Sequence, residues 1–209
     1  IYLSNEDEGK ASVADPRSGE ILAEIPVGIE PEGVGISPDG EIVMVTSEST
    51  NMVHVISASK NEVVDNILVG ARPREVAFTP DGRWAYISCE VAGQVVKLDV
   101  ETKQIIKTVK LRKQIRKAKP KGLRLSHDAK VLYVSTGRGA AIAVLDADSL
   151  AVKAVIPVGK RVWGLALSSD GSRLYSANGL DNTVSVIDTE KNAEINTIAV
   201  GERPWGVAL

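Results

Sequence analysis

Apolar and polar positions along this chain alternate in short runs and do not follow helical spacing. The final stretch, Ser168–Leu209, shows the pattern most clearly. Four runs rich in Val, Ile, Leu and Tyr, at Arg173–Ser176, Thr183–Ile187, Ile195–Val200 and Trp205–Leu209, stand between polar turns. Period-two alternation in such residues predicts a strand for each run. Ser126–Leu167, Thr79–Leu125 and Ser37–Phe78 repeat the pattern, and Ile1–Ile36 repeats it without the first turn. The copies begin at 37, 79, 126 and 168, spaced 42, 47 and 42 residues apart. Pro38-Asp39-Gly40 and Pro80-Asp81-Gly82 read as tight turns, in which Asp bonds its own backbone and Gly takes positive φ. His127-Asp128-Ala129 and Ser169-Asp170-Gly171 fill the same slot.

A period in the forties with four strands per unit predicts an all-β chain, a β-propeller of four-stranded antiparallel blades. Each unit is too small to bury a face alone, so the reading is one domain of units 1–36, 37–78, 79–125, 126–167 and 168–209. With the strands of a blade lettered A to D from the inside out, the A strands are Gly33–Ile36, Glu75–Phe78, Gly122–Leu125, Gly164–Leu167 and Gly206–Leu209. The first unit has B, C and D but no A, and the last residues are an A with nothing after it. Either Gly206–Leu209 closes a five-bladed ring against the N-terminal set, or whole units are missing from the front of a larger, seven-bladed ring. Closure would remove exposed sheet edges.

Charge and composition narrow the function. The net charge of −2 gives no global argument for nucleic acid or a membrane surface. No apolar run is long enough to span a membrane. The one cysteine, Cys89, cannot form an internal disulfide. It ends a B strand, a slot that predicts a packed thiol. His54 falls in a C strand and His127 in a surface turn, positions that predict packing and solvent, with no metal or cofactor held. Between Val109 and Gly122 the loop is longer than in other units and carries seven basic residues and no acidic one. It is read as a solvated loop, with an acidic or anionic contact as the functional alternative. The absence of an aromatic there argues against nucleic acid.

Nucleophile elbow, P-loop, dinucleotide and zinc-protease signatures are all absent, so no catalytic residue is assigned. Candidate binding residues come from comparing the repeats. The slot before the D–A turn proline reads Glu30, Arg72, Lys119, Arg161 and Arg203; the slot after it reads Glu32, Arg74, Lys121, Trp163 and Trp205. B–C loops add Glu6, Glu48, Glu90, Arg138 and Asp181. Glu75 and Arg124 occupy A-strand slots otherwise held by small residues, which predicts a polar channel. Arg forks match carboxylates and indoles stack on rings or cations, so a rim of Glu32, Glu48, Arg72, Arg74, Arg161, Trp163, Arg203 and Trp205 suits a small anionic or aromatic ligand.

The B strands Ile1–Asn5, Ala85–Cys89, Leu132–Thr136 and Leu174–Asn178, with Asn182–Asp188 and the Val-Gly turns at 27, 69 and 200, resemble the YVTN-type β-propeller repeat. Pro26–Gly33, Thr46–Met52, Val64–Pro73 and Val158–Trp163 are similar to bacterial propellers associated with PQQ-dependent alcohol catabolism. That resemblance implies a seven-bladed ring, export to the periplasm, and a quinoprotein or other periplasmic partner. The leading expectation is a non-catalytic binding or scaffold propeller. The alternatives are a lactonase-like propeller hydrolase, with Glu6, Glu32, Glu48 and Glu90 converging on a hard cation at the channel mouth, and a surface-layer or cell-wall array module.

Overall fold

Nineteen strands form where alternating runs meet polar turns, in a computed structural model that describes residues 1–209. The first sheet holds β1 (Tyr2–Asn5), β2 (Lys10–Ala14) and β3 (Ile21–Pro26). The second holds β4 (Pro31–Ile36), β5 (Ile42–Ser47), β6 (Met52–Ser57) and β7 (Glu62–Leu68). The third holds β8 (Pro73–Phe78), β9 (Trp84–Cys89), β10 (Gln94–Asp99) and β11 (Ile105–Lys110). The fourth holds β12 (Leu123–Leu125), β13 (Val131–Ser135), β14 (Ala141–Asp146) and β15 (Val152–Pro157). The fifth holds β16 (Val162–Leu167), β17 (Arg173–Asn178), β18 (Thr183–Asp188) and β19 (Ala193–Ala199). In every sheet, strands adjacent in sequence are adjacent in space. The only helix is a 3₁₀ turn, Leu111–Lys113.

The A–B turns are built identically by chemistry the sequence carries. Ser37, Thr79, Ser126 and Ser168 each donate a hydroxyl to the Asp two residues on, and each accepts the backbone N–H of the residue five on. The same Asp caps the N–H two residues beyond itself. These bonds favour the charged carboxylate and hold Asp39, Asp81, Asp128 and Asp170 below the usual range. A second repeated device is a register shift between the last two strands of a sheet, at Val13/Ala14, Val55/Ile56, Val144/Leu145 and Val186/Ile187. Such bulges increase local twist.

The strands gather into two compact units, Ile1–Ala92 with Val96–Ile106, and Gly93–Val95 with Lys107–Leu209. In the first, β5 and β9 are buried on both faces, and Met44, Val53, Ile67, Ile87, Cys89 and Leu98 share one core. In the second, Ile142, Val144, Ile156, Val162, Leu174 and Ile187 form another. One expected strand is not made. Residues 200–209 contain no strand, and the first sheet keeps three. The Gly164 N–H bonds to the Trp205 carbonyl at 3.0 Å, so the tail lies against β16 without a ladder.

Candidate functional sites

Two charged sites stand out, one in each unit. In the first, the residue before each D–A turn proline leaves ordinary φ: Glu30 sits at +55° and Arg72 at +59°. That left-handed backbone costs about 1–2 kcal/mol for a side-chain-bearing residue. Hydrogen bonds to the neighbouring B–C loops hold it in place. Glu30 and Arg72 carbonyls accept the N–H of Glu48 (2.9 Å) and Glu90 (2.8 Å), and Arg72 N–H donates to Asn51 Oδ1 (3.0 Å). The turns therefore deliver rim side chains in a set direction.

Beneath that rim is a buried ion-pair knot. The Arg74 side chain is 6% exposed and pairs with Glu32, Glu48 and, at 3.6 Å, Glu90. Arg72, half exposed above it, pairs with Glu48 and with Glu90 at 3.6 Å. The carboxylates expected to converge on a cation thus converge on guanidinium groups instead. Glu6 is exposed in the β1–β2 turn. No group of three His, Cys, Asp or Glu side chains is arranged to hold a metal ion, so the residues do not fit the cation expected at the channel mouth.

Above the knot lies a cleft of about 300 Å³ lined by Glu30, Glu48, Ser49, Asn51, Arg72 and neighbours. Ser49 donates its hydroxyl to the Glu30 carboxylate. A carboxylate, a hydroxyl and a guanidinium therefore share one small opening. Glu30 was visible in the repeat comparison as an acid in a slot otherwise basic, yet only the fold places Ser49 against it.

The second unit carries two stacked indoles and a basic cleft. Trp163, 7% exposed, stacks on Trp205 with centroids 3.8 Å apart and planes 24° apart. The Lys121 ammonium lies 3.4 Å from the Trp163 centroid and the Arg161 guanidinium 5.0 Å. The Trp pair expected at one rim is thus brought together. Arg203 is exposed and held through its N–H to Asn182 Oδ1 (3.0 Å), as Arg72 is to Asn51. Arg124 is exposed on β12, and Glu75 is half-buried on β8 with its N–H on Ser88 Oγ (3.2 Å); they belong to different units. The basic loop does not simply project into solvent. Leu111, Ile115 and Ala118 are buried, and their neighbours Arg112, Lys117 and Lys119 help line a cleft of about 660 Å³.

Two residues drop out as reactive groups. Cys89 is fully buried and its thiol is pushed up to about 12 by desolvation, so it packs as a small apolar side chain. His54 is buried between strands with Nδ1 paired to Asn66 Oδ1.

Repeated antiparallel sheets of this kind define the β-propeller class, as the sequence period predicted. Residues 34–193 match the family described as "Lactonase, 7-bladed beta-propeller", and the chain belongs to that family. No curated protein matches it. Among solved structures it is similar to a functionally unknown protein from Desulfotomaculum acetoxidans DSM 771, at 16% identity and TM-score 0.84, covering 98% of this chain and 67% of that one. Kuenenia stuttgartiensis hydrazine synthase is similar at 15% identity and TM-score 0.70, with 98% and 84% covered. Dihydro-heme d1 dehydrogenase NirN in complex with DHE is similar at 18% identity and TM-score 0.77, and the match covers 96% of this chain and 44% of that one. At these identities the likeness is one of fold. No helix is long and apolar enough to cross a membrane.

Proposed function

We propose that this chain is a lactonase-type hydrolase that opens a small cyclic ester in the cleft of its first unit. The family match over residues 34–193 carries the reading and favours it over the non-catalytic scaffold expected from the sequence. The cleft supports it with suitable chemistry. Glu30 takes a proton from water as hydroxide forms a bond to the lactone carbonyl carbon. Arg72 donates hydrogen bonds to the oxygen that becomes negative. Collapse breaks the ring C–O bond, and the proton held by Glu30 goes to the departing alkoxide, leaving a hydroxy acid. Ser49 orients the Glu30 carboxylate. Arg72 is itself held by Glu48 and Glu90, so its guanidinium is set before substrate arrives. This route uses no metal, in keeping with carboxylates already committed to arginine.

The test is acid release, in a pH-stat, from simple five- and six-membered lactones. Turnover is expected, with Glu30→Gln lowering kcat by roughly 10²–10³ and Arg72→Gln by about 10². Absence of hydrolysis across the lactone series by the intact protein would refute the reading. Resemblance to PQQ-associated propellers supports an exported setting beside a quinoprotein partner. Fractionation of the producing cell should then place the protein in the periplasm, and recovery from the cytosol would remove that setting.

A further inference from the structure

The near-neutral net charge conceals a strong division. The first unit holds 18 Asp and Glu against 8 Lys and Arg, a balance of −10; the second holds 9 against 17, a balance of +8. Within the second unit, six of those 17 cations line one concave place. Arg112 comes from the 3₁₀ turn, Lys117 and Lys119 from the long loop, Arg138 from the β13–β14 turn, and Lys160 and Arg161 from the β15–β16 turn. Segments far apart in sequence thus converge on a cleft of about 660 Å³, whose remaining wall includes Ala140 and Leu180.

Parts of this cluster are held in place. Arg112 donates from Nε to the Ala118 carbonyl at 3.2 Å and packs over Gly93, where an added Cβ would lie 2.6 Å from Nε. Lys117 and Arg161 take left-handed backbone, at φ +61° and +55°. The Lys160 N–H is fixed by Asp181 Oδ2 at 2.8 Å. Gathering six cations in one cleft raises their mutual repulsion, which a bound anion relieves. The volume suits a small molecule and is too small for a folded partner.

We propose that this cleft is a binding site for a small organic anion bearing two or more phosphate or carboxylate groups. Guanidinium forks of Arg112, Arg138 and Arg161 grip planar or tetrahedral oxyanions in pairs, and the lysines supply point charges around them. Cations from four separate segments face one cleft, so an anion with several charged groups can meet more of them at once than a monovalent ion can. The site belongs to the second unit, shares no residue with the cleft containing Glu30, and does not depend on hydrolysis there.

Calorimetric titration of the full chain at about 0.15 M ionic strength, where exposed charges more than ~8 Å apart are screened, tests the site with inorganic pyrophosphate and citrate as probes. Saturable binding of one probe per chain is expected, with preference between them telling phosphate from carboxylate recognition. The pair Arg138→Gln and Lys160→Gln, both exposed, should weaken binding at least tenfold. The pair Lys153→Gln and Lys191→Gln removes the same charge outside the cleft and should weaken it less than twofold. The proposal is overturned by absence of saturable binding, or by equal losses in the two double variants. It is equally overturned if only a long polyanion such as heparin binds, or if the cleft variants abolish self-association of the chain while small anions leave it untouched.

Discussion

His54 shows how a single side chain sets a pH limit on the fold. Asn66 Oδ1 assigns the proton to Nδ1, and the buried Nε2 has no hydrogen-bond partner. Gly28, at φ +83°, brings its backbone so close that a Cβ would lie 2.8 Å from that nitrogen. Protonating Nε2 would bury a charge there, and burial accordingly lowers the imidazole below its ordinary 6.5. The unfolded chain therefore binds the proton more readily than the fold, and stability is lost as pH falls below 6.5. Thermal midpoints measured from about pH 7.5 to 5.5 should decline, and His54→Gln should flatten that slope. Equal slopes in both proteins would show that His54 is not responsible. Asp39, Asp81, Asp128 and Asp170 act at lower pH with the same sign. Their depressed values mean that turn stability is present above the unfolded carboxylate range and fades as acid protonates them.

At the scale of elements, close approach of strands decides which residues are tolerated. Gly33 on β4 faces β8 so closely that an added Cβ would lie 2.2 Å from the Arg74 carbonyl oxygen. Backbone cannot yield as a side chain can. Gly33→Ala should cost about 1–3 kcal/mol, read as a drop in the urea midpoint, and an unchanged midpoint would contradict the packing. The Glu–Arg knot beside it has a sharper signature. Arg74→Met would leave Glu32, Glu48 and Glu90 without their shared buried cation. A loss of roughly 3–5 kcal/mol is expected, and a loss of less than about 1 kcal/mol would indicate that the carboxylates are better solvated than the fold suggests. In the second unit, Gly164 has only 2.9 Å between a built Cβ and the Gly206 Cα. Gly164→Ala should push the tail off β16 and unstack Trp205, read as a shift in tryptophan emission.

At the scale of the whole molecule, the charge division is the main consequence for behaviour. A chain of net −2 with balances of −10 and +8 in its units should bind surfaces of either sign. Retention on both anion- and cation-exchange resin is expected near neutral pH in low salt, fading above about 0.3 M salt as screening lengths shrink. Retention on the anion exchanger alone would mean that the basic residues are neutralised internally. The sequence could have revealed this through charge counted by halves, but a single net charge hides it. The site residues were partly legible for the same reason. Slots that change character between repeats pointed to Arg72, Arg74, Trp163 and Trp205, all of which prove to be paired. Repeat comparison could not show that Glu48 and Glu90 answer the arginines, because those contacts join loops well separated along the chain.

By itself, the sequence determined the four-strand repeat, the strands before Trp205, the A–B turns and the all-β class. These rest on local chemistry: alternation decides which face is buried, and Ser or Thr two residues before Asp closes a turn within six residues. Only the tertiary structure decided that carboxylates meet guanidinium groups in place of a cation, that Ser49 meets Glu30, that Trp205 stacks on Trp163 without a final strand, and that basic residues from three turns line one cleft. Such contacts join positions tens of residues apart, and their energy depends on burial and distance, which a linear pattern does not encode.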